Sequence, residues 1–444
     1  MDKSAREALA ARVLELAGGG AEGEAIVFTA NDGLTRFTQN AIHQNVAHAE
    51  TTLRLRAVLD GRSGVASSNA LDDAALRELV ARAAEMARLA PRDDVFPGLP
   101  RGGPTEAPRD AFVAATAQAS PDLRARLAGE IFGVAERDGL WAAGYVKTGR
   151  HGITIANTRG TLASFDGTDC GLNVKQNGAD STGYAERNDT DVARLDAAGA
   201  ASHAAEKARR SHAPQAVEPG DWTVILEPAA FGDLIAYLVD HFSAQAFDEG
   251  SSFLSEGLDR KYVAENVTIY DDYAHPLAPS MPFDYEGVPK QRIALFERGV
   301  AKNIVTDSYW AAKLSRPNTG HAMPAPNADG PLPTNVVVAS GEKPLAQLIA
   351  ETKRGILVSR FWYIRTVDLR KAVVTGMTRD GTFLIENGKL VRGVRNMRFN
   401  QSILAALAHV EFSSEPARSG GYSYSNVIPA AKIEGFRFTS STEF

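Results

Sequence analysis

The sequence predicts an α+β protein. An N-terminal α/β domain of two similar strand-and-helix halves spans residues 1–217, and a β-rich C-terminal domain spans 218–444. Three observations predict it. Short runs rich in β-branched and aromatic residues, bounded by Asn, Asp and Gly, fill much of the chain. Two strongly helical stretches, LDDAALRELVARAAEMARLAP and VARLDAAGAASHAAEKARRSHAP, each follow such a group of runs and each end at Ala-Pro. At 444 residues, 44% hydrophobic and 23% charged, the chain has a globular balance and material for more than one core.

Taken in order, MDKSAREALAARVLELAGGG carries Leu9, Val13 and Leu16 at helical spacing among charges, which predicts a surface helix closed by glycines and not a secretion signal. From Ala25 the runs AIVFTAN, LTRFTQNAIHQNV and TTLRLRAVLDGRSGVASSN predict strands of one antiparallel sheet, with Asn-Asp-Gly and Asp-Gly as turns. The first long helix opens on Asp72 and Asp73, where negative charge suits the helix dipole, and closes at Pro91. Residues 91–108 form a Pro/Gly-rich loop. The strand-turn-strand texture then returns in GYVKTGRHGITIANTRGTLASFDGTDCGLNVKQNGADSTGYAERND and feeds the second helix. GVASSN and GYAERN close the strands of each copy, so the pattern reads as an internal duplication. QAVEPGDW (215–222) is the predicted linker. After it come one long helix (229–247), a shorter one in KPLAQLIAETKRG, and runs such as VTIYDD, QRIALFERG, NVVVASG, GILVSRFWYI and AAKIEGFRF, which predict a curved or barrel-like sheet.

Composition narrows the function. Lys plus Arg is 48 against 54 Asp plus Glu, a formal charge of −6, and no basic stripe is present to track phosphates, so nucleic-acid binding is not expected. The most apolar segment, TVILEPAAFGDLIAYLV, is broken by Glu227 and Asp233, short of the roughly 20 apolar residues of a membrane span. The single cysteine, Cys170, rules out an internal disulfide and a cysteine cage for zinc, and suits a reducing compartment, by default the cytoplasm. Set between Asp169 and Gly171 in a strand-like run, it reads as a small core residue.

There is no G-x-S-x-G elbow and no Walker loop. None of the nine histidines (43, 48, 151, 203, 212, 241, 275, 321 and 409) has a partner at H-x-x-H or H-x-x-x-H spacing. His43 and His48 lie on opposite faces of a strand. Asp248, Glu249, Asp259, Asp271, Asp272 and His275 would bind a cation only if they converged; in turn-like segments, such residues also serve as solvated punctuation. On the helix 229–247, Phe231, Leu234, Ile235, Leu238 and Phe242 make an apolar face, with His241 beside it as a partly buried residue.

The run MPFDYEGVPKQRIALFERGVAKNIVTDSYWAAKLSRPNTGHA (281–322) has an Asp-x-Glu-Gly-x-Pro turn, a strand ending at glycine, a helix and Thr-Gly-x-Ala. It resembles the signature of the TldD/PmbA (TldD/TldE) family, once described as modulators of DNA gyrase. LTRFTQNAIHQNV, IANTRGTLAS, ETKRGILVSRF and DGTFLIENGKLVRGV agree in order along almost the whole chain. The resemblance implies a dimer enclosing a chamber for unfolded peptide. It also implies that TldD-type chains hold zinc on a helix through H-E-x-x-x-H, completed by a cysteine near the C-terminus. Aligned through Pro228 and Gly232, Ala236 stands at the first histidine, Tyr237 at the glutamate, and His241 at the second histidine. The cysteine is due within 409–426, where there is none.

Alanine cannot ligate, and a phenol is a poor base at neutral pH. The chain therefore resembles the PmbA/TldE-type subunit: no catalytic residue and no cofactor of its own, zinc in a TldD-type partner, and pairing with that partner or with itself. Phe361, Trp362 and Tyr363 stand where small residues are common in that subgroup; they wall a chamber or, as their area favours, fill a core. Two other functions stay open: a stand-alone hydrolase or peptidase using Asp271, Asp272 and His275, and a non-catalytic peptide-binding homodimer.

Overall fold

A helix, α1 (Lys3–Ala17), precedes the strands β1 (Glu22–Thr38), β2 (Ala41–Leu59) and β3 (Arg62–Ser68) and the helix α2 (Asp73–Leu89). After a one-turn α3 (Ala114–Ala117), the same order returns as α4 (Pro121–Arg137), β4 (Trp141–Asn157), β5 (Leu162–Asn177), β6 (Thr182–Asp189) and α5 (Ala197–Arg210). The six strands form one sheet in the order β3-β2-β1-β4-β5-β6, symmetric about an antiparallel β1–β4 seam that runs from Glu24 opposite Asn157 to Phe37 opposite Gly144. The duplication is therefore a helix, three strands and a helix in each half. The strand-based reading marked no helix at α4, which starts at Pro121 with Ser120 as its cap and buries Leu127, Ile131 and Val134. The computed structural model describes residues 1–18, 22–421 and 424–442. Gly18 caps α1; Gly19 and Gly20, also expected there, lie outside the described residues.

The four long helices cover one face of this sheet over two apolar clusters. Two buried arginines cross the seam beneath them. Arg6 of α1 reaches strands of the second half, with Nε 3.3 Å from Thr154 Oγ1 and Nη2 2.9 Å from Asp166. Arg124 of α4 reaches β1, with Nε 3.2 Å from Thr35 Oγ1, and its Nη1 bonds Thr148 Oγ1 at 3.0 Å. A Cβ on Gly152 would strike the first guanidinium, and one on Gly33 the second. This corrects the turn expected at Asn31-Asp32-Gly33: β1 runs straight through it, and Gly33 makes room for Arg124. The turn lies at Gln39 and Asn40, both at positive φ (51° and 56°).

The second part begins at β7 (Gly220–Leu226), so Gly220–Trp222 of the expected linker belong to a strand. Then follow α6 (Pro228–Val239), α7 (Ala244–Asp248), β8 (Ile269–Asp271), β9 (Ile293–Glu297), β10 (Val300–Ala301), α8 (Ser308–Leu314), β11 (Val336–Val338) and α9 (Leu345–Ala350). The chain continues through β12 (Arg354–Asp368), β13 (Val373–Glu386), β14 (Lys389–Gly393), β15 (Met397–Ser402) and α10 (Ile403–Leu407). It ends with β16 (Val410–Phe412), β17 (Ala417–Gly420), β18 (Ser425–Ile428) and β19 (Ala431–Ser441).

The expected barrel is present: β12, β7, β19, β15 and β13 pair in a ring that closes through β13–β12. Phe361, Phe399 and Phe436 pack in its core, the first two with ring centroids 4.5 Å apart. A second sheet, β10-β9-β8-β11-β18-β17, is not hydrogen-bonded to the ring but shares one apolar core with it. Among the described residues, no helix is long and apolar enough to cross a membrane.

The Asp-x-Glu-Gly-x-Pro turn joins the two parts. Met281 and Phe283 pack on Ile26, Ile153, Ile155 and Phe165, on the sheet face opposite the helices. Asp284 accepts backbone N–H bonds from Glu286, Val288 and Ala322, each at 2.9 Å. Glu286 accepts from Ser308 N at 3.1 Å and joins Glu24 on the buried Arg56, at 3.5 and 3.1 Å. Burial pushes the Glu24 carboxyl up to about 7, although Arg56 pulls the other way.

Two outcomes follow. Gly152→Ala, which drives a methyl into Arg6, should destabilise the protein by roughly 1–3 kcal/mol. Gly129→Ala, on the exposed side of α4 with nothing near its Cβ, should stabilise it by about 0.4–1 kcal/mol; urea titration of both variants checks the pair. Because Glu24 binds its proton more tightly folded than unfolded, its contribution is fully present below its ordinary value of 4.5 and is lost as pH rises through about 7. Denaturation midpoints of Glu24→Gln should fall less steeply than wild type across that window.

Candidate functional site

α6 turns Phe231, Leu234, Ile235 and Leu238 into the core and leaves Ala229, Asp233, Ala236 and Asp240 on its other side. The helix predicted to reach 247 ends at Val239. A 3₁₀ turn holds Asp240–Phe242, and Ser243 is extended because the chain pairs there with Val305, whose N–H bonds Phe242 O at 2.8 Å while Ala244 N bonds its carbonyl at 3.1 Å.

The solvent-facing side of α6 lines a polar cleft of about 340 Å³ between the two parts of the molecule. Tyr145 and Lys147 of β4 and Glu186 of β6 form one wall, with Asp233, Arg360 and Ser419 opposite. Burial raises the Asp233 carboxyl to about 7, and the charge of Glu186 adds to the rise. Glu186 accepts the Tyr184 hydroxyl at 2.6 Å. Arg360 lies 4.3 Å above the Tyr184 ring and is tied to Asp380, which also takes Lys175 at 3.0 Å. At the seam, Asp169 holds His151 at 2.6 Å and Lys147 at 3.2 Å, with Asp32 3.4 Å from His151. Burial works against the charge of Asp169, but His151 and Lys147 outweigh it and hold the carboxyl down at about 2.

The three positions aligned with the zinc helix do not converge. Ala236 is exposed and carries no donor atom. Tyr237 is half-buried, its hydroxyl donating to Ile364 O at 2.7 Å. His241 is buried with its ring 5.0 Å from that of Phe253, and burial lowers it to about 4; it borders a separate cleft of about 510 Å³ with Asp240, Ser243 and Asp329. The stretch 409–426 does come to the helix: a Cβ on Gly232 would meet Ser419 Oγ and Ile428 at 3.7 Å. Tyr422 and Ser423 lie outside the described residues. The donors at this place do not fit a zinc site, and among the described residues no group of three His, Cys, Asp or Glu side chains is arranged to hold a metal.

The remaining sequence candidates scatter. Asp248 pairs with Lys313 at 2.8 Å, Asp259 with Lys302 at 2.9 Å and Asp272 with Arg292 at 3.3 Å, and Glu249 accepts from Gln245 at 3.0 Å. Asp271 is sealed against His321 at 3.3 Å, while His275 Nδ1 accepts from Leu277 N at 3.2 Å; the constellation of Asp271, Asp272 and His275 is not assembled. His43 and His48 are both exposed on β2. Cys170 is buried and donates to Asp189 O at 3.2 Å; burial pushes its thiol up to about 12, the reverse of an activated nucleophile. The aromatic run divides: Phe361 is core, whereas Trp362 and Tyr363 are 45% and 64% exposed beside Arg379 and Arg365. The group at His151 escaped the sequence reading because its members come from three strands with no shared spacing.

Residues 219–440 match the PmbA/TldA metallopeptidase C-terminal domain, and residues 24–87 match domain 1 of the same metallopeptidases. The chain is 26% identical to the metalloprotease PmbA of Escherichia coli O157:H7 over 70% of its length and 71% of that protein. It is 28% identical to a metalloprotease TldD homolog of Buchnera aphidicola over 40% of its length, a match that spans 37% of that relative. The crystal structure of TldE from Thermococcus kodakarensis superposes with a TM-score of 0.87 at 23% identity, covering 98% of this chain and 99% of that one.

His241→Leu should cost under about 1.5 kcal/mol at neutral pH. The unfolded histidine takes its proton near 6.5 and the buried one only near 4, so the stability it contributes is lost as pH falls across that interval. The variant should show a flatter acid limb in pH-dependent unfolding.

Proposed function

The chain belongs to the TldD/PmbA metallopeptidase family, and from that premise we propose that it is a PmbA/TldE-like subunit without a zinc site of its own, working with a TldD-type partner, or paired with itself, on unfolded or leader peptides. The observation that carries this reading is Ala236: where the resemblance calls for the first zinc ligand, the helix presents only an exposed methyl group. Zinc, when present in a TldD-type partner, would supply the Lewis acid and activated water.

This chain's own residues bind and orient. β17 is the terminal strand of its sheet, and Ser419 and Gly420 line the cleft, which suits a peptide added as an extended strand through main-chain hydrogen bonds. Lys147, Glu186, Asp233 and Arg360 give the cleft polar walls of both signs.

Co-expression with a TldD-type chain, followed by zinc analysis and peptide digestion, tests the proposal. The expected result is zinc and cleavage in the complex, and neither in this chain alone. Stoichiometric zinc in the isolated chain, or chelator-sensitive proteolysis that His241→Ala abolishes, would overturn it. The double variant Ala236→His, Tyr237→Glu should bind zinc weakly at best and stay inactive, since His241 packs against Phe253 and no thiolate completes the set.

A further inference from the structure

The cleft continues past the start of α6 into a pocket of about 180 Å³ whose lining includes Arg418 and Ser419 of β17, Arg187, Glu186 and the paired Lys207 and Glu227. At Arg418 the fold encloses guanidinium nitrogens without supplying an acceptor among the described residues. Its Nε and Nη1 are closed off from solvent and have no hydrogen-bond partner among the described residues, so Nη2 is the edge that meets the cleft. Arg6, Arg56 and Arg124, which are buried more deeply than Arg418, each have acceptors: Arg6 has Thr154 and Asp166, Arg56 has Glu24 and Glu286, and Arg124 has Thr35 and Thr148.

The carboxylates around Arg418 are engaged elsewhere. Asp169 is held by His151 and Lys147, Asp189 by the backbone N–H of Asp191 at 2.9 Å, Glu227 by Lys207 at 2.5 Å, and Glu186 by Tyr184. Burial already works against the charge of Arg418, yet a guanidinium stays protonated at any ordinary pH. Asp189 and Asp169 act on Arg418 from a distance without bonding it; a half-buried cation in that state is costly, and the cost is relieved when a ligand brings an anion into contact with it.

We propose that the Arg418 guanidinium is a carboxylate-binding subsite of the cleft, taking the C-terminal carboxylate or an acidic side chain of a bound peptide. The inference rests on the peptide-binding reading above and adds a substrate class to it. A charge-assisted hydrogen bond from Nη2 suits a carboxylate better than a carbonyl, and the Ser419 hydroxyl on the same strand borders the same pocket.

Fluorescence anisotropy with the full chain tests it, using one labelled unfolded peptide without acidic residues as free acid and as C-terminal amide, and the amide form carrying a single Asp. The free acid should bind roughly tenfold or more tightly than the plain amide. Arg418→Gln should erase the preference and Arg418→Lys should keep part of it. Recovery of affinity by the Asp-containing amide assigns the site to side chains, and its absence assigns it to the C-terminus. Equal affinities of all three peptides for the wild-type chain, a comparison independent of how any variant folds, would overturn the inference. So would an undiminished preference in Arg418→Gln, or failure of all three peptides to bind. In each of these cases the subunit reading survives if the complex with a TldD-type chain still cleaves the peptide, and falls with it if the complex does not.

Discussion

The antiparallel seam between β1 and β4 is the constraint on which the rest of the molecule depends. It joins two copies of one unit into a single sheet, and its two faces have different tasks. On the helix face, each half sends an arginine across to the other, and the space for both guanidinium groups comes from glycines in the facing strands. Neither half can shift relative to the other without stranding a buried charge, a larger penalty than the net worth of the bonds themselves.

The opposite face of the seam receives the second part of the chain. Its apolar end takes Met281 and Phe283, and its polar end carries Asp32, His151, Asp169 and Lys147 toward the cleft. The most recognisable motif in the sequence thus has a structural explanation. Asp284 ties its own turn to Ala322 through backbone donors, and Glu286 links that turn to Arg56 across the interface. A motif rich in carboxylates looks catalytic in a sequence; here the carboxylates bind backbone amides and one arginine and join the two parts of the chain.

In and beside the cleft, opposite charges pair at close range, Lys147 with Asp169, Arg360 with Asp380 and Lys207 with Glu227, and the Tyr184 hydroxyl fixes Glu186. Such pairing keeps side chains in place and leaves little free charge to act on a substrate. A surface of this kind suits a subunit that holds an extended peptide more than one that activates water, and it sets off Arg418, whose Nε and Nη1 find no acceptor among the described residues.

How much of this was legible in the sequence depended on the range of the physics involved. The duplication, the start of α2 at Asp72, the Asp60-Gly61 turn and the barrel-like strand texture could all be read from neighbours along the chain, because caps, turns and periodicity act over a few residues. Even there, Asn31-Asp32-Gly33 misled, since Gly33 answers to Arg124 from another helix, and the helix expected to reach 247 was cut short by pairing with Val305. Whether Phe361 or Trp362 was buried, that Asp271 would meet His321 and not His275, that Asp169 would gather His151 and Lys147, and that Nε and Nη1 of Arg418 would find no acceptor among the described residues were decided only by the tertiary structure. Burial and charge pairing are set by residues distant in the chain, and their convergence has no signature in local order.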